Sequence, residues 1–453
     1  MSVIDAVLWG SAVVFAVVLI AFPARGRRVA PLVLALLGVG MVMQWAVGGY
    51  WHMWPVYLLI VSMLVYVLTD TAPPRRRIVA RTGLGVLAAV SIIPWVVPPV
   101  PSLPAPTGPY AVGSEIFRWV DESRAEPATE ADDRRNVVVQ AWYPTATVSG
   151  RQWVYLDGST DLPARVSGIP GFLLRYYDRI DTHASAQTPV SDARPRWPVV
   201  LFSPGYGAPR AFYTGLLTDL ASRGFVVLAV DHPYESGVTE LADGTIATTV
   251  EHFPADDPDG LRFMTERLDT RTADLRFVLD QLEHPDAMGL LATHLDTTAI
   301  TATGHSLGGA TALSALSTDP RLQAAANIDG TLYGPLLDRT LDRPVLLIDS
   351  DHDETDHSAR YLDGNQALLT HLTAPGFRYE ITEANHYTFT DAPQFLSTPA
   401  RFLLTHFIGG SRGTAETQHT TNDLLVPFLT GNHADIPAAA TAHSGITGGP
   451  VPR

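Results

Sequence analysis

The chain has no cysteine and no lysine; all 31 of its basic residues are arginine. The first absence removes disulfides, thiolate nucleophiles and cysteine-ligated metals, and the second removes any mechanism built on a lysine amine. Positive charge is scarce too. The formal net charge is −15, and residues 1–109 hold seven Arg against two Asp, which leaves −20 on the remainder. So acidic a domain excludes nucleic acid as a partner.

What is abundant is apolar sequence, and it is concentrated in the first 97 positions. Residues 4–22, 30–47, 53–69 and 82–97 form apolar runs, each near the ~20 residues a helix needs to span hydrocarbon. They predict a membrane anchor of about four transmembrane helices over 1–97. The first run lacks the basic leader of a cleaved signal peptide, and four such runs in succession do not suit a soluble core. Short cytoplasmic loops retain Arg and translocated ones avoid it. Arg25, Arg27 and Arg28 follow the first run and Arg75, Arg76, Arg77 and Arg81 follow the third, while 48–52 contains no Arg. This predicts a multi-pass protein of the cell membrane with both termini outside and the large domain extracytoplasmic. Trp51, Trp54 and Trp95 fall near the expected interfaces. The Pro-rich stretch 98–109 predicts a stiff extended spacer, and 434–453, poor in large apolar residues, predicts a disordered tail.

Between them, 110–433 alternates short β-branched runs with amphipathic ones, the pattern of an α/β domain with a mostly parallel sheet flanked by helices. Strands are expected at 199–203, 225–230, 299–303, 324–328, 344–348 and 377–382, with an antiparallel leading strand at 137–143. Helices are expected at 209–223, 264–283 and 359–370 and after residue 306. Gly304-His305-Ser306-Leu307-Gly308-Gly309 fits G-x-S-x-G, in which a strand turns sharply into a helix and exposes the serine at the tip. Gly409-Gly410-Ser411-Arg412-Gly413 fits it as well. Context separates the two: Ser306 follows a β-branched run and opens a small-residue helix, whereas Ser411 follows an expected helix at 401–408 and resembles a glycine C-cap. Ser306 is therefore the nucleophile candidate of an α/β-hydrolase fold.

A serine needs a histidine to take its proton and an acid to orient that histidine, and on this fold they follow in the order Ser, acid, His. His386, just past the strand 377–382, is the candidate base. His352 and His357, crowded into an acidic stretch, suit exposed or capping roles. The oxyanion hole requires the N–H after the nucleophile, Leu307, and one from the Gly-rich loop Ser203-Pro204-Gly205-Tyr206-Gly207, where Tyr206 is the candidate. The acid has two candidates. Asp353 lies a few residues past the strand 344–348, where many α/β-hydrolases carry theirs. Asp329 lies one strand earlier between Ala326, Ile328 and Leu332, and that apolar setting favours it over Asp353, which sits among Asp349, Asp351, Glu354 and Asp356. A calcium loop starting at Asp349 fails, because its sixth position is Glu354 rather than Gly and its twelfth is Arg360 rather than Glu. No metal and no cofactor is expected.

The stretch PVVLFSPGYGAPRAFYTGLLTDLASRGFVVLAVDH at 198–232, with GHSLGGA and Asn327-Ile328-Asp329-Gly330, resembles the plasma-type platelet-activating factor acetylhydrolases over about residues 110–429. The resemblance implies Ser306, Asp329 and His386 as the triad and Tyr206 and Leu307 as oxyanion donors. It also implies calcium-independent hydrolysis of short or oxidised acyl esters, typically at the sn-2 position of phospholipids. The chain departs from the family in carrying Pro204 where a His is usual, and in having an integral membrane anchor instead of secretion. A lipid or small lipophilic ester is then the expected substrate. Two other readings compete: a polyester or dienelactone-type hydrolase, and a membrane sensor with a non-catalytic hydrolase-like domain. Against the sensor, the four runs hold no central ionisable residue, Asp5 and Arg81 being near their ends. The segment 151–189, with Leu173, Leu174, Tyr176 and Tyr177, reads equally as an acyl-pocket wall or as core.

Overall fold

The computed structural model describes residues 3–48, 51–69, 73–96, 100–129, 132–148, 150–156, 162–166, 169–250, 257–396 and 410–452. Two compact units emerge, one built mainly from Met1–Pro101 and the other from Ser102 onward, with Phe172–Tyr176 and Phe395–Ala400 grouped with the first.

In the larger unit, ten strands among the described residues form one sheet: β1 (Ala111–Ala125), β2 (Arg134–Thr145), β3 (Ala184–Ala186), β4 (Trp197–Ser203), β5 (Val226–Asp231), β6 (Leu295–His305), β7 (Leu322–Ile328), β8 (Val345–Ser350), β9 (Gly376–Ile381) and β10 (Ile446–Pro450), in the order β10-β9-β8-β7-β6-β4-β5-β2-β1-β3. From β5 to β9 every neighbouring pair is parallel, and antiparallel strands flank this block. The expected α/β-hydrolase architecture is what forms. The apolar runs of the central strands, such as Val199-Val200-Leu201-Phe202 and Val345-Leu346-Leu347-Ile348, are buried, as they must be when helices cover both faces. Each such Leu or Ile contributes about 1.5–3 kcal/mol by leaving water. The helices α1 (Thr214–Ser222), α2 (Asp257–Gln281), α3 (Leu307–Thr318), α4 (Ala359–Thr370) and α5 (Thr414–Leu429) pack around it, and two apolar cores form, divided by the alternation of side chains along the strands.

Register sets up the site. Ser203 lies beside Gly304, His305 beside Ile328, Ile328 beside Ile348 and Ser350 beside Ile381. The carboxyl ends of β4, β6, β7, β8 and β9 are thus level, and the loops leaving them share one edge.

Two expectations about the flanks are corrected. The Pro-rich stretch is no free spacer from Ser102 on: the Thr107 N–H and hydroxyl both donate to Asp219 (2.7 Å each), and the Gly108 N–H donates to Ser222 Oγ (2.9 Å). Prolines forbid helix but not docking of an extended strap. Nor is 434–453 a structureless tail, since Ile436–Thr441 is helical and β10 pairs with β9. Strand pairing at an edge uses backbone groups, so the lack of large side chains did not prevent it. Gly448 (φ 104°) meets the Arg378 carbonyl so closely that a Cβ would lie 2.2 Å from it.

The smaller unit includes helices over Val3–Ala21, Pro23–Gly48, Trp54–Leu68 and Pro74–Val90. Three of them, over Ile4–Ala21, Pro23–Ala46 and Trp51–Leu68, are long and apolar enough to cross a membrane. The fourth expected run does not qualify, because its helix starts at Pro74, takes in Arg75, Arg76, Arg77 and Arg81, and ends after 17 residues. The arginines after the first run are likewise inside the second helix rather than in a loop. Residues 49–50 and the side chain of Trp95 lie outside the described set. Inward, Leu8, Phe15, Leu19, Leu59 and Met63 are buried, while Val14, Leu32, Leu36, Val39 and Leu58 are exposed. A bundle polar inside only at points such as Gln44 to Asp5 (3.2 Å), and apolar outside, suits lipid rather than water.

Candidate active site

Ser306 sits between β6 and α3 with φ 58° and ψ −128°, a conformation that non-glycine residues adopt at an energetic cost. The turn is possible because the residues two before and two after Ser306 have no side chains. A Cβ on Gly304 would lie 2.3 Å from the Gly308 carbonyl, and one on Gly308 would lie 1.9 Å from the carbonyl of Ser203. The glycines of G-x-S-x-G let helix and strands touch backbone to backbone, and the Ser306 N–H closes the turn on Ile328 O (2.8 Å).

Asp329 follows β7, also left-handed at φ 53°, and its carboxylate is wholly buried. One oxygen takes His386 Nδ1–H at 2.6 Å and the Ser350 hydroxyl at 2.9 Å; the other takes His357 Nε2 at 2.9 Å and the Ser350 N–H at 2.8 Å, with the Tyr361 hydroxyl 3.2 Å away and its proton directed to Asp349. Burial alone would raise its pKa, but hydrogen bonds and charge from His357 and His386 more than reverse this and hold it well below the usual carboxylate range. With Nδ1–H donated to Asp329, Nε2 of His386 is left as the proton acceptor. The His386 ring keeps 27% of its surface exposed, against 0% for the Asp329 side chain. Asn385 fixes its loop: its side chain accepts the Tyr387 N–H (3.0 Å) and donates to Glu354 O (2.9 Å).

Asp353 is exposed at the start of a one-turn helix, with its N–H on the carboxylate of Asp351, and does not approach His386. Its acidic neighbours are engaged elsewhere, Asp349 with Arg378 (2.6 Å) and Asp351 with the Glu383 N–H (2.7 Å). His357, expected to be an exposed or capping residue, is corrected: its side chain is buried against Asp329, and although burial lowers its pKa, the bond to Asp329 and the charges of Asp329, Asp349 and Glu380 together raise it. Ser411 is exposed, and the helix expected before it at 401–408 lies outside the described residues. Tyr177 packs edge-on against Tyr155, ring centroids 5.5 Å apart, as core; the side chain of Tyr176 is outside the described set.

Leu307 is the first residue of α3, so its N–H belongs to the donors that a helix leaves without an internal partner. The Tyr206 loop is held from several sides. Gly205 N–H donates to the Tyr213 hydroxyl (2.9 Å), Arg271 Nη1 donates to Pro204 O (2.6 Å), and Gly237 N–H donates to Gly207 O (3.0 Å). Arg271 is fully buried and paired with Glu235 at 2.7 Å. Reading the sequence missed Tyr213, Arg271, Glu235, Ser350 and Tyr361. One signal was present: Arg271 falls on the same helical stripe as Leu268 and Leu275, where a charge must have a buried partner.

His305, Asp329 and His386 offer ligand atoms within 4.8 Å of one another. Both nitrogens of His305 are already bonded, to Tyr213 (2.8 Å) and to His386 O (2.9 Å), so the cluster is organised as a hydrogen-bonded set rather than as converging lone pairs. A second Ser, His and Asp set lies below the first: Ser203 Oγ to His232 Nε2 at 2.9 Å and His232 Nδ1 to Asp274 at 2.8 Å. Both His232 and Asp274 are 0% exposed, and Arg135 pairs with Asp274 (2.7 Å).

The family model of platelet-activating factor acetylhydrolase, isoform II, matches residues 98–253 and 265–364, more than half of the chain. The chain belongs to this family. The match spans Tyr206, Ser306 and Asp329 and stops short of His386. Among individual relatives, a probable 1-alkyl-2-acetylglycerophosphocholine esterase of Arthroderma benhamiae is 28% identical over 261 residues, 51% of this chain and 59% of that protein. The platelet-activating factor acetylhydrolase of Canis lupus familiaris is 28% identical over 39% of this chain and 45% of its own. The chain thus spans about half the length of these family relatives. Among solved structures, a ferulic acid esterase from Streptomyces cinnamoneus superposes with a TM-score of 0.64 at 27% identity, covering 77% of this chain and 99% of that one.

Proposed function

We propose that this acetylhydrolase-family protein is a membrane-anchored serine ester hydrolase that works through an acyl-enzyme on Ser306. The observation that carries the reading is the 2.6 Å bond from His386 Nδ1 to buried Asp329, one loop away from a serine at a left-handed strand-to-helix turn. Ser306 Oγ attacks the ester carbonyl while His386 Nε2 takes its proton, and Asp329 holds the ring and stabilises the imidazolium that results. The carbonyl oxygen becomes an oxyanion received by the N–H groups of Leu307 and Tyr206. His386 returns the proton to the departing alcohol, then activates a water that frees the acid.

Names of the relatives support a short-acyl ester of a glycerophospholipid as substrate. The ferulic acid esterase neighbour supports a second reading, a small soluble ester of an aromatic acid. Full-length protein in detergent should be given a 2-acetyl phosphocholine ether lipid, its 2-palmitoyl counterpart and ethyl ferulate, with Ser306→Ala as control. Preference for the 2-acetyl lipid is expected; selective turnover of ferulate would replace the lipid reading, and no turnover of any ester would end both. The apolar helices support integral anchoring, and the placement of Arg in the sequence is the ground for putting the hydrolase domain outside the cytoplasm. A reporter active only in the cytoplasm, fused after Pro109, should stay silent, and a strong signal would reverse the orientation.

A further inference from the structure

The Pro204–Gly205 peptide immediately precedes the one whose N–H, that of Tyr206, serves as oxyanion donor in the proposed mechanism. Its two polar atoms are gripped from opposite sides. The carbonyl, belonging to Pro204, accepts from Arg271 Nη1 at 2.6 Å, and the N–H, belonging to Gly205, donates to the Tyr213 hydroxyl at 2.9 Å. Arg271 and Tyr213 are both fully buried and come from α2 and from the turn before α1. Arg271 is itself fixed by Glu235, and its second arm lies 3.5 Å from Gly205 O. The bond from Tyr213 continues. The His386 carbonyl can only accept, so His305 carries its proton on Nε2 and donates it there (2.9 Å), and with that ring neutral the Tyr213 hydroxyl, which accepts the Gly205 N–H, donates to His305 Nδ1 (2.8 Å). The chain requires a neutral His305, and burial, with the neighbouring His386 adding to it, holds the pKa of that ring well below its ordinary value.

We propose that Tyr213 and Arg271 clamp the Pro204–Gly205 peptide, setting the orientation of the Tyr206 N–H before substrate arrives, and that His305 ties the same clamp to the loop carrying the base. This rests on the Ser306 mechanism above and adds positioning residues to it. Free rotation of that peptide would swing the next N–H away from the oxyanion, and such donors act only when they are already aimed. Glycine at 205 is what leaves the loop open to such rotation, and a Cβ there would crowd the Tyr213 hydroxyl at 3.1 Å and Ser306 Cβ at 3.3 Å, so a stiffer residue would press on the clamp itself. The rigidity has to be supplied from outside the loop.

The test compares full-length parent, Tyr213→Phe and Arg271→Lys in detergent, each normalised to sites titrated by a fluorophosphonate so that only folded enzyme is counted. Tyr213→Phe should lower kcat by about 10- to 100-fold with KM within about twofold, because a misaimed donor weakens the transition state and not the ground state. A trifluoromethyl ketone, which forms an oxyanion-bearing hemiketal on the serine, should lose affinity by the same factor, and a non-hydrolysable ether analogue should lose none. Unchanged kcat per titrated site, or equal losses for both inhibitors, would overturn the clamp. If Tyr213→Phe gives no titratable sites, Arg271→Lys decides: lysine keeps the charge facing Glu235 but not the fork, so an unchanged kcat there also overturns it. Retention of activity by Ser306→Ala would sink the mechanism itself, an outcome distinct from either.

Discussion

The two Ser, His and Asp sets in this domain have nearly the same bonds and opposite prospects. In both, a carboxylate accepts Nδ1–H from a histidine, at 2.6 Å from His386 and 2.8 Å from His232. Ser306 occupies a left-handed turn and is followed by Leu307 at the start of a helix, while Ser203 ends an ordinary strand and is followed by Pro204, which has no N–H to offer an oxyanion. His386 is partly exposed, whereas His232 is sealed, its pKa pushed down to about 4 by burial and by Arg271. A triad is therefore not its three side chains. Backbone donors and access to solvent separate the proposed reaction centre from a structural tie between β4, β5 and α2.

The sharpest way to break this comparison is to remove each serine. Ser306→Ala should lower ester hydrolysis by on the order of 10⁴ or more, leaving binding and oxyanion stabilisation. Ser203→Ala should leave kcat within about threefold and show itself as lost stability of about 1–3 kcal/mol, since His232 Nε2 is left buried without its donor. Equal kinetic losses from the two would show the buried set to be part of the chemistry.

Next comes the acid. Asp329→Asn should lower kcat by about 10³- to 10⁴-fold by favouring the wrong His386 tautomer, and Asp353→Asn should change it by less than about twofold, as expected of an exposed surface residue. Steady-state kinetics on both variants decide it; the reverse order would move the acid to the neighbouring strand.

The smallest effect concerns a third buried carboxylate, Asp391, five residues past His386. It accepts from Tyr155, from Gln418 and from the Gly215 N–H, and burial pushes its pKa up to about 7 in spite of them. A carboxyl whose folded pKa is raised binds more protons folded than unfolded, so its contribution is full below about pH 4 and is lost as pH rises through about 7. Asp391→Asn should therefore gain on the parent as pH rises across that window, by on the order of a few °C in Tm. A melting-temperature difference that stayed constant from pH 4 to 8 would show that Asp391 is not the titrating group.

Much of this was legible in the chain. The parallel strands could be read because burial on both faces demands unbroken apolar runs, and Ser306 because its glycines are dictated by backbone contact. Asp329 could be preferred because an acid among apolar neighbours needs a partner. What stayed illegible depended on partners distant in sequence. Nothing near Tyr213 announces Gly205 or His305, and His357 looked solvated because its neighbours are acidic, though it turns inward to Asp329. The strand β10 was missed because its pairing rests on backbone atoms that composition does not record.

The left-handed turn at Ser306 sets stability against chemistry at a single position. Glycine would fit φ 58° without strain, so Ser306→Gly relaxes the turn and removes the proposed nucleophile in one step. A laboratory lineage selected for heat resistance alone, with no demand for turnover, has a downhill path through this codon, and the most durable member of such a lineage would be a scaffold without a reaction.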